Sequence, residues 1–175
     1  MLEGILIVLI LALDQGVKAL SEHYLTPLGT SHPLIPGVFQ FTSVHNTGAA
    51  WGMFSGFRWV FLALTLVITA AILYALVRYR GKFSVLSRIT LSMLLAGALG
   101  NAIDRAVLGY VRDMFDFCLI HFPVFNVADS FLTIGCVLLC IDALLVKKNS
   151  LFDVLSAKPD KKAEPEPESG ESEDA

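Results

Sequence analysis

The chain has 175 residues, of which 55% are hydrophobic and only 17% are charged. Soluble globular domains average about 25% charged residues, so this composition makes such a domain doubtful and excludes a disordered chain or an ordinary nucleic-acid-binding protein. The formal net charge of −3 is unevenly distributed, because residues 157–175 hold seven of the 16 acidic residues and only three of the 13 basic ones.

Four apolar segments are long enough to cross a membrane, whose hydrocarbon core of about 30 Å requires about 20 helical residues. They are residues 4–20, 59–77, 85–105 and 127–146. Glu3 precedes the first segment and no small-residue cleavage site follows it, so we interpret it as a retained helix rather than a cleaved signal peptide. We therefore predict an all-α membrane protein with four transmembrane helices.

Between the first two helices, residues 38–44 follow a Pro-Gly pair and are rich in β-forming side chains, which predicts a small strand or hairpin at the membrane surface. Lys and Arg are concentrated between the second and third helices and after the fourth, whereas residues 21–57 contain neither. The positive-inside rule therefore predicts that both termini are cytoplasmic and that the β-rich cradle faces outward. Residues 157–175 predict a disordered acidic cytoplasmic tail, which follows a membrane domain of residues 1–156.

Ionisable groups at membrane depth are costly, so those within the helices are functional hypotheses. Asp14 and Lys18 are spaced i, i+4 in the first helix, which suits either a self-neutralising pair or part of a site, and the spacing leaves both open. Asp142 lies about one turn from Lys147 and Lys148. We therefore expect it to be an interfacial group whose polar end reaches water.

Polar residues also gather where the third and fourth helices meet the outer link. Asp104 and Arg105 could form a salt bridge at the end of the third helix, whereas Asn101 requires a buried hydrogen-bond partner. Asn126 is well suited to N-cap the fourth helix, which puts Asp129 at N3, where an acid favours the helix dipole and can bond back to the cap. A structural role for Asp129 is thus as well supported as a catalytic one.

Asp113 lies in the aromatic loop between these two helices, so we expect it near Asp129 in a partly apolar setting. Two such carboxylates tend to share a proton, so one can act as a general base on water while the other protonates a carbonyl oxygen or a leaving amine. This is the chemistry of an aspartic protease. A small proton-coupled transporter could use the same carboxylates, although its acids should lie near the bilayer midplane.

Five blocks of the sequence resemble those of the lipoprotein signal peptidases, the signal peptidase II family. The blocks are Asp14-Gln15-x-x-Lys18, residues 46–51 (Asn-Thr-Gly-Ala-Ala-Trp), residues 97–105, residues 109–113 and residues 125–129. They occur in the order typical of the family, and the resemblance spans roughly residues 2–148.

The resemblance implies an aspartic endopeptidase of the bacterial inner membrane that removes signal peptides from diacylglyceryl-modified prolipoproteins, cleaving just before the lipid-bearing cysteine. It implies catalysis by Asp113 and Asp129 at the outer face, inhibition by globomycin-type cyclic lipopeptides, and neither a metal nor an organic cofactor. The supporting residues that it implies are Asp14, Lys18, Asn46, Gly48, Asn101, Asp104, Arg105 and Asn126. We also expect contact with membrane lipids, and a monomer, because four helices around one site suffice.

Three positions differ from the pattern typical of the family. His45 stands where an arginine is common, Ala96 where a glycine is frequent, and Arg112 where an apolar residue is usual. We expect the side chain of Arg112 to point to lipid headgroups, away from Asp113. Asp116 lies three residues beyond the matched aspartate and is interpreted as structural.

Overall fold

The computed structural model describes residues 1–49, 53–146 and 148–156. The predicted tail at 157–175, Lys147 and residues 50–51 of the second sequence block lie outside the described residues. Four long helices confirm the predicted segments, and each is long and apolar enough to cross a membrane. They are α1 (Leu2–Tyr24), α2 (Arg58–Arg78), α3 (Val85–Val107) and α4 (Val127–Leu145), and a short helix α5 (Leu151–Ser156) follows.

Helix α3 packs against α1, α2 and α4 and is the most buried of the four. Small side chains on α3 allow this close approach. A Cβ atom added to Gly97 would lie 2.7 Å from the carbonyl oxygen of Ala128 in α4, and one added to Gly100 would lie 2.6 Å from Oδ2 of Asp14 in α1. The glycines of α3 therefore bring the polar residues of α1 and the first turn of α4 against the same stretch of helix.

A three-stranded antiparallel sheet lies at the end of the bundle where α3 ends and α4 begins, called here the sheet end. Its strands, in spatial order, are β1 (Ser31–Ile35), β2 (Phe39–Asn46) and β3 (Val111–Asp116). The predicted hairpin is confirmed by the pairing of β1 with β2. Glycine is required at position 37 of the connecting turn, because the backbone there has φ of +74°.

Strand β3 occupies the segment that we expected to be an aromatic loop, so that expectation was wrong. Val44 of β2 lies opposite Asp113, and His45 lies opposite Arg112. The polar residues of β3 interrupt the apolar alternation by which a half-buried strand is recognised. Its pairing partner is also about 70 residues away in the chain, so the local sequence carries little sign of the strand.

At the opposite end of the bundle, Asp142 is fully buried, so the expectation of a water-reaching interfacial group was wrong. Its Oδ1 accepts hydrogen bonds from the hydroxyls of Ser84 and Ser87 at 3.1 and 2.8 Å, and its Oδ2 accepts one from the backbone N–H of Leu151 at 2.7 Å. The two serines belong to the start of α3, whereas the chain turns back after α4 to supply the N–H of Leu151. Asp142 therefore ties α5 to the ends of α3 and α4.

Candidate active site

Asp113 on β3 and Asp129 in the first turn of α4 line one cavity of about 570 Å³ at the sheet end. The segment before α4 pairs with β3, since Phe115 and Phe125 exchange backbone hydrogen bonds of 2.8 and 3.0 Å. This pairing fixes the start of α4 beside β3. The expectation that the two aspartates lie near each other is thereby confirmed. Other polar residues that line the cavity are Asn46, Asn101, Arg105, Ser130 and Thr133.

Asn126 connects the two aspartates. Its Oδ1 accepts a hydrogen bond from the backbone N–H of Asp129 at 2.9 Å, and its own N–H donates to Oδ2 of Asp129 at 3.2 Å, which confirms the predicted capping box. Its side-chain amide also donates to Oδ1 of Asp113 at 2.6 Å and to Oδ1 of Asn101 at 3.1 Å. One residue thus caps α4 and holds both carboxylates, so the structural position of Asp129 at N3 is also its position in the cavity.

Two further side-chain amides bind the carboxylates. Asn46 donates to Oδ2 of Asp113 at 2.9 Å, and its own oxygen accepts from the N–H of Gly48 at 2.9 Å. Asn101 donates to Oδ1 of Asp129 at 2.7 Å. Each aspartate is therefore held by neutral donors, which fix its orientation without the full ion pair that would make a carboxylate a poor base.

The electrostatic setting of Asp113 differs from that of a surface carboxylate. Burial, as the larger cause, and the negative charge of Asp129 together raise the pKa of Asp113 from 3.8 to about 7. Hydrogen bonds from Asn46 and Asn126 and the charge of Lys18 oppose the rise in this pKa. At neutral pH the Asp113 carboxyl can therefore hold a proton or release it, which is the property required of a general acid–base group.

Behind the cavity, Asp14 and Lys18 form a fully buried ion pair of 2.9 Å, but they are not isolated. Lys18 also donates to Oδ1 of Asn101 at 2.9 Å and lies 3.5 Å from Oδ2 of Asp104. Oδ1 of Asp14 accepts from the backbone N–H of Ala128 at 2.8 Å. The pair thus connects α1 to the start of α4 and to the residue that binds Asp129.

Asp104 and Arg105 are neighbours in sequence but bind different partners. Arg105 donates to the carbonyl oxygen of Gly48 at 2.8 Å and lies 4.8 Å above the ring of Phe61. Asp104 instead pairs with Arg112, whose side chain is only 14% exposed. The expectation that Arg112 points to lipid headgroups was therefore wrong, because Asp104 and α1 offer it buried acceptors.

Two polar residues near the site, Gln15 and Glu22, have contacts that the sequence alone did not predict. The side-chain amide of Gln15 donates to Asp14, to the carbonyl oxygen of Gly100 and to Asp104 at 3.1–3.2 Å. Glu22 lies 3.4 Å from Arg112 and 3.3 Å from His45. The role of Gln15 could have been predicted, because Gln15 lies within the first sequence block. For Glu22 the sequence offers only its position one helical turn after Lys18. Among the described residues, no cluster of three or more His, Cys, Asp or Glu side chains is arranged to hold a metal.

Comparison with known proteins gives a consistent family. The family model described as signal peptidase (SPase) II matches residues 6–145. The chain belongs to the signal peptidase II family. A lipoprotein signal peptidase of Brevibacillus brevis is 48% identical over 141 residues, which is 81% of this chain and 93% of that one. One of Lactiplantibacillus plantarum is 40% identical over 140 residues, which is 80% of this chain and 92% of that one.

A solved structure, described as a bacterial membrane enzyme determined by the in meso method at 2.3 Å resolution, matches with a TM-score of 0.72 and 34% identity. The match covers 93% of this chain and 94% of that one. Membership of the signal peptidase II family makes this chain a multi-pass membrane protein and a protease of lipoprotein processing, whose substrates are prolipoproteins. The transporter alternative has no support from these comparisons.

Proposed function

We propose that this signal peptidase II uses Asp113 and Asp129 as its catalytic pair. The observation that carries the proposal is that Asn126 binds both carboxylates, Asp113 through its side-chain amide and Asp129 through its backbone N–H, in a cavity of about 570 Å³. A water molecule held between the two carboxylates would be the nucleophile. The same pair would stabilise the charge that develops on the scissile carbonyl.

The environment of each carboxylate favours a division of roles. Asp129 lies in the first turn of α4, where the helix dipole favours an anion, and Asn101 and the N–H of Asn126 donate to it. It is therefore the base that removes a proton from the water as the oxygen attacks the carbonyl carbon. Asp113, whose raised pKa keeps it protonated below about pH 7, donates its proton to the carbonyl oxygen.

Collapse of the tetrahedral intermediate completes the reaction. The proton taken up by Asp129 passes to the departing nitrogen, the C–N bond breaks, and Asp113 recovers a proton from the hydroxyl of the intermediate. The products are a signal peptide with a new carboxyl group and a protein whose first residue is the diacylglyceryl-modified cysteine. Asn46 and Gly48, at the end of β2, would hold the substrate backbone next to β3 as an added extended segment.

The sheet end is proposed to face outward from the bacterial inner membrane, with both termini in the cytoplasm. The concentration of Lys and Arg at the opposite end supports this orientation.

Membrane lipids would surround the exposed apolar faces of α2 and α4. A monomer would suffice, because α3, α4 and the sheet of one chain supply the polar residues that line the cavity. Globomycin-type cyclic lipopeptides would occupy the same cavity and inhibit competitively. Residues 157–175 would form a cytoplasmic tail outside the 1–156 domain.

The decisive experiment is incubation of the purified full-length protein with a diacylglyceryl-modified prolipoprotein, followed by mass measurement of both products. The expected result is one cut immediately before the modified cysteine. The matched control is the same precursor without the diacylglyceryl group, which should remain intact. Cleavage at another bond, or equal cleavage of both precursors, would contradict the proposal.

A further inference from the structure

Arg112 binds Asp104 through three separate donors. Its Nη2 donates to Oδ1 of Asp104 at 2.8 Å, its Nε donates to Oδ2 at 3.2 Å, and its backbone N–H donates to the same Oδ2 at 3.0 Å. The two side-chain bonds form a bidentate fork, the strongest and most directional arrangement between these groups. The main chain immediately before Asp113 is therefore fastened to α3 by both the side chain and the backbone of one residue.

The same guanidinium also reaches α1. Nη2 donates to Oε1 of Gln15 at 3.0 Å, and Nη1 lies 3.4 Å from Oε2 of Glu22. Glu22 in turn accepts a hydrogen bond from the hydroxyl of Tyr110 at 3.2 Å. Arg112 thus joins α1, α3 and β3 at one point.

The charges behind the cavity balance only if Arg112 is counted. Asp14, Lys18 and Asp104 are all fully buried, so without Arg112 two buried carboxylates would share one ammonium group. An unpaired buried carboxylate costs several kcal/mol. Lys18 lies 2.9 Å from Asp14 but 3.5 Å from Asp104, which is the asymmetry expected when Asp104 is already neutralised by a second cation.

The neutralisation of Asp104 by Arg112 affects the proposed catalytic pair through Lys18. Because Lys18 does not form a close ion pair with Asp104, its ammonium group can donate to Oδ1 of Asn101. The side-chain amide of Asn101 in turn donates to Oδ1 of Asp129. A stronger pull from Asp104 would draw Lys18 away from Asn101. The side-chain amide of Asn101 would then be free to rotate away from Asp129.

We propose that Arg112 is a positioning residue for the proteolytic reaction: it fixes the backbone of Asp113 and, by neutralising Asp104, keeps Lys18 on Asp14 and Asn101 so that Asn101 orients Asp129. The inference rests on the proposed function of Asp113 and Asp129. Arg112 itself does not line the cavity, so it acts through these neighbours rather than on the substrate.

The test measures kcat and KM of the purified full-length protein on a diacylglyceryl-modified prolipoprotein. Arg112→Met should lower kcat roughly tenfold with KM changed less than about twofold, because the interactions lost are those that orient the catalytic groups. Arg112→Lys retains the charge without the fork and should recover most of the lost rate. Arg80→Met is the matched control, because Arg80 is exposed in the link between α2 and α3 and should keep the parent rate.

A double substitution separates positioning from a general loss of stability. In an Asp104→Asn background the buried negative charge is gone, so adding Arg112→Met should lower kcat less than about threefold further. The double variant also removes both charges together, so it tests the inference even if Arg112→Met alone does not fold. A parent-like kcat for Arg112→Met, or an equal further loss in both backgrounds, would overturn the inference. An inactive parent protein would instead contradict the proposed function.

Discussion

The side-chain amide of Asn126 lies 2.6 Å from Oδ1 of Asp113, so the residue that caps α4 also binds the carboxylate on β3. Helix capping and alignment of the site are therefore one arrangement. Any change that disturbs the first turn of α4 also moves the group that holds Asp113.

Replacement of either proposed catalytic carboxylate should stop proteolysis. Asp113→Asn and Asp129→Asn keep the side-chain size but remove the acid–base function, which accounts for about a hundredfold or more of the rate. Cleavage of a lipidated precursor is measured by mass, and folding by thermal unfolding in detergent. Full activity in either folded variant would show that the pair is wrongly assigned.

Asp116→Asn is the matched control for that experiment. Asp116 accepts hydrogen bonds from Gln40 at 2.7 Å and Thr42 at 2.9 Å in the neighbouring strand and does not line the cavity. Its loss should weaken the sheet slightly and leave most of the activity. If the well-folded Asp116→Asn protein were dead while Asp113→Asn retained activity, the catalytic aspartate of β3 would be Asp116.

The rate should fall as the pH rises through about 7. The raised pKa of Asp113 leaves this carboxyl protonated below about pH 7, and the proposed mechanism requires its proton for the step at the carbonyl oxygen. The profile of kcat/KM against pH should show this alkaline limb in the parent and in Asp116→Asn. A rate that stays constant to about pH 9 would contradict the role of Asp113 as the acid.

The raised pKa of Asp113 also predicts how the stability of the protein depends on pH. Because the pKa of Asp113 in the folded protein lies above the ordinary value of 3.8, ionisation of Asp113 is unfavourable in the folded state. Its contribution to stability is fully present below about pH 3.8 and is lost as the pH rises through about 7. The Tm of the parent should therefore fall over this range more than that of a variant in which Asp113 is replaced by Leu.

Asp14→Asn should reduce activity partially, by roughly tenfold, which is the usual effect of removing a residue that orients the groups of a site. The asparagine oxygen can still accept from the N–H of Ala128, but the charge that pairs with Lys18 is lost. Lys18 should then move toward Asp104. Asp153→Asn, at an exposed position on α5, is the control that should keep the parent rate. Equal rates for Asp14→Asn and the parent would mean that the buried pair has only a packing role.

Gly100→Ala should destabilise the protein by about 1–3 kcal/mol, because the added methyl group would lie 2.6 Å from Oδ2 of Asp14 and 3.2 Å from Cβ of Ala128. Gly16→Ala in α1 is the matched control. No atom lies within 4 Å of its added Cβ, so this helix should be unchanged or more stable by up to about 1 kcal/mol. Denaturation of both variants in the same detergent gives the comparison, and similar stabilities would show that α3 can move away from α1.

The sequence was sufficient for the features that depend on local patterns. Long apolar runs predicted all four helices, and the observed bounds differ from the predicted ones by at most four residues. Asn126 and Asp129 are three residues apart, so their capping box was also visible locally. The fold brings all eight predicted supporting residues to the cavity or directly behind it. Their roles in catalysis remain predictions.

The features that the sequence did not predict depend on distant partners. Strand β3 exists because β2, about 70 residues earlier, pairs with it. The direction of Arg112 depends on acceptors in α1 and α3, and the burial of Asp142 depends on a donor contributed by Leu151 after a reversal of the chain. A charged residue has no periodic pattern that reports which distant group will neutralise it.

The hydrogen bond from the N–H of Ala128 to Asp14 has a consequence for synthesis, since it joins residues 114 positions apart. A chain that has so far inserted only its first three helices contains Asp14, Lys18 and Asp104 but lacks the amino end of α4 and Asp129. With Asp129 in the proposed catalytic pair, the site is incomplete until the last transmembrane helix has entered the bilayer. On that assignment, proteolytic competence would arise only at the end of biogenesis, and partly inserted chains would be unable to cut substrates.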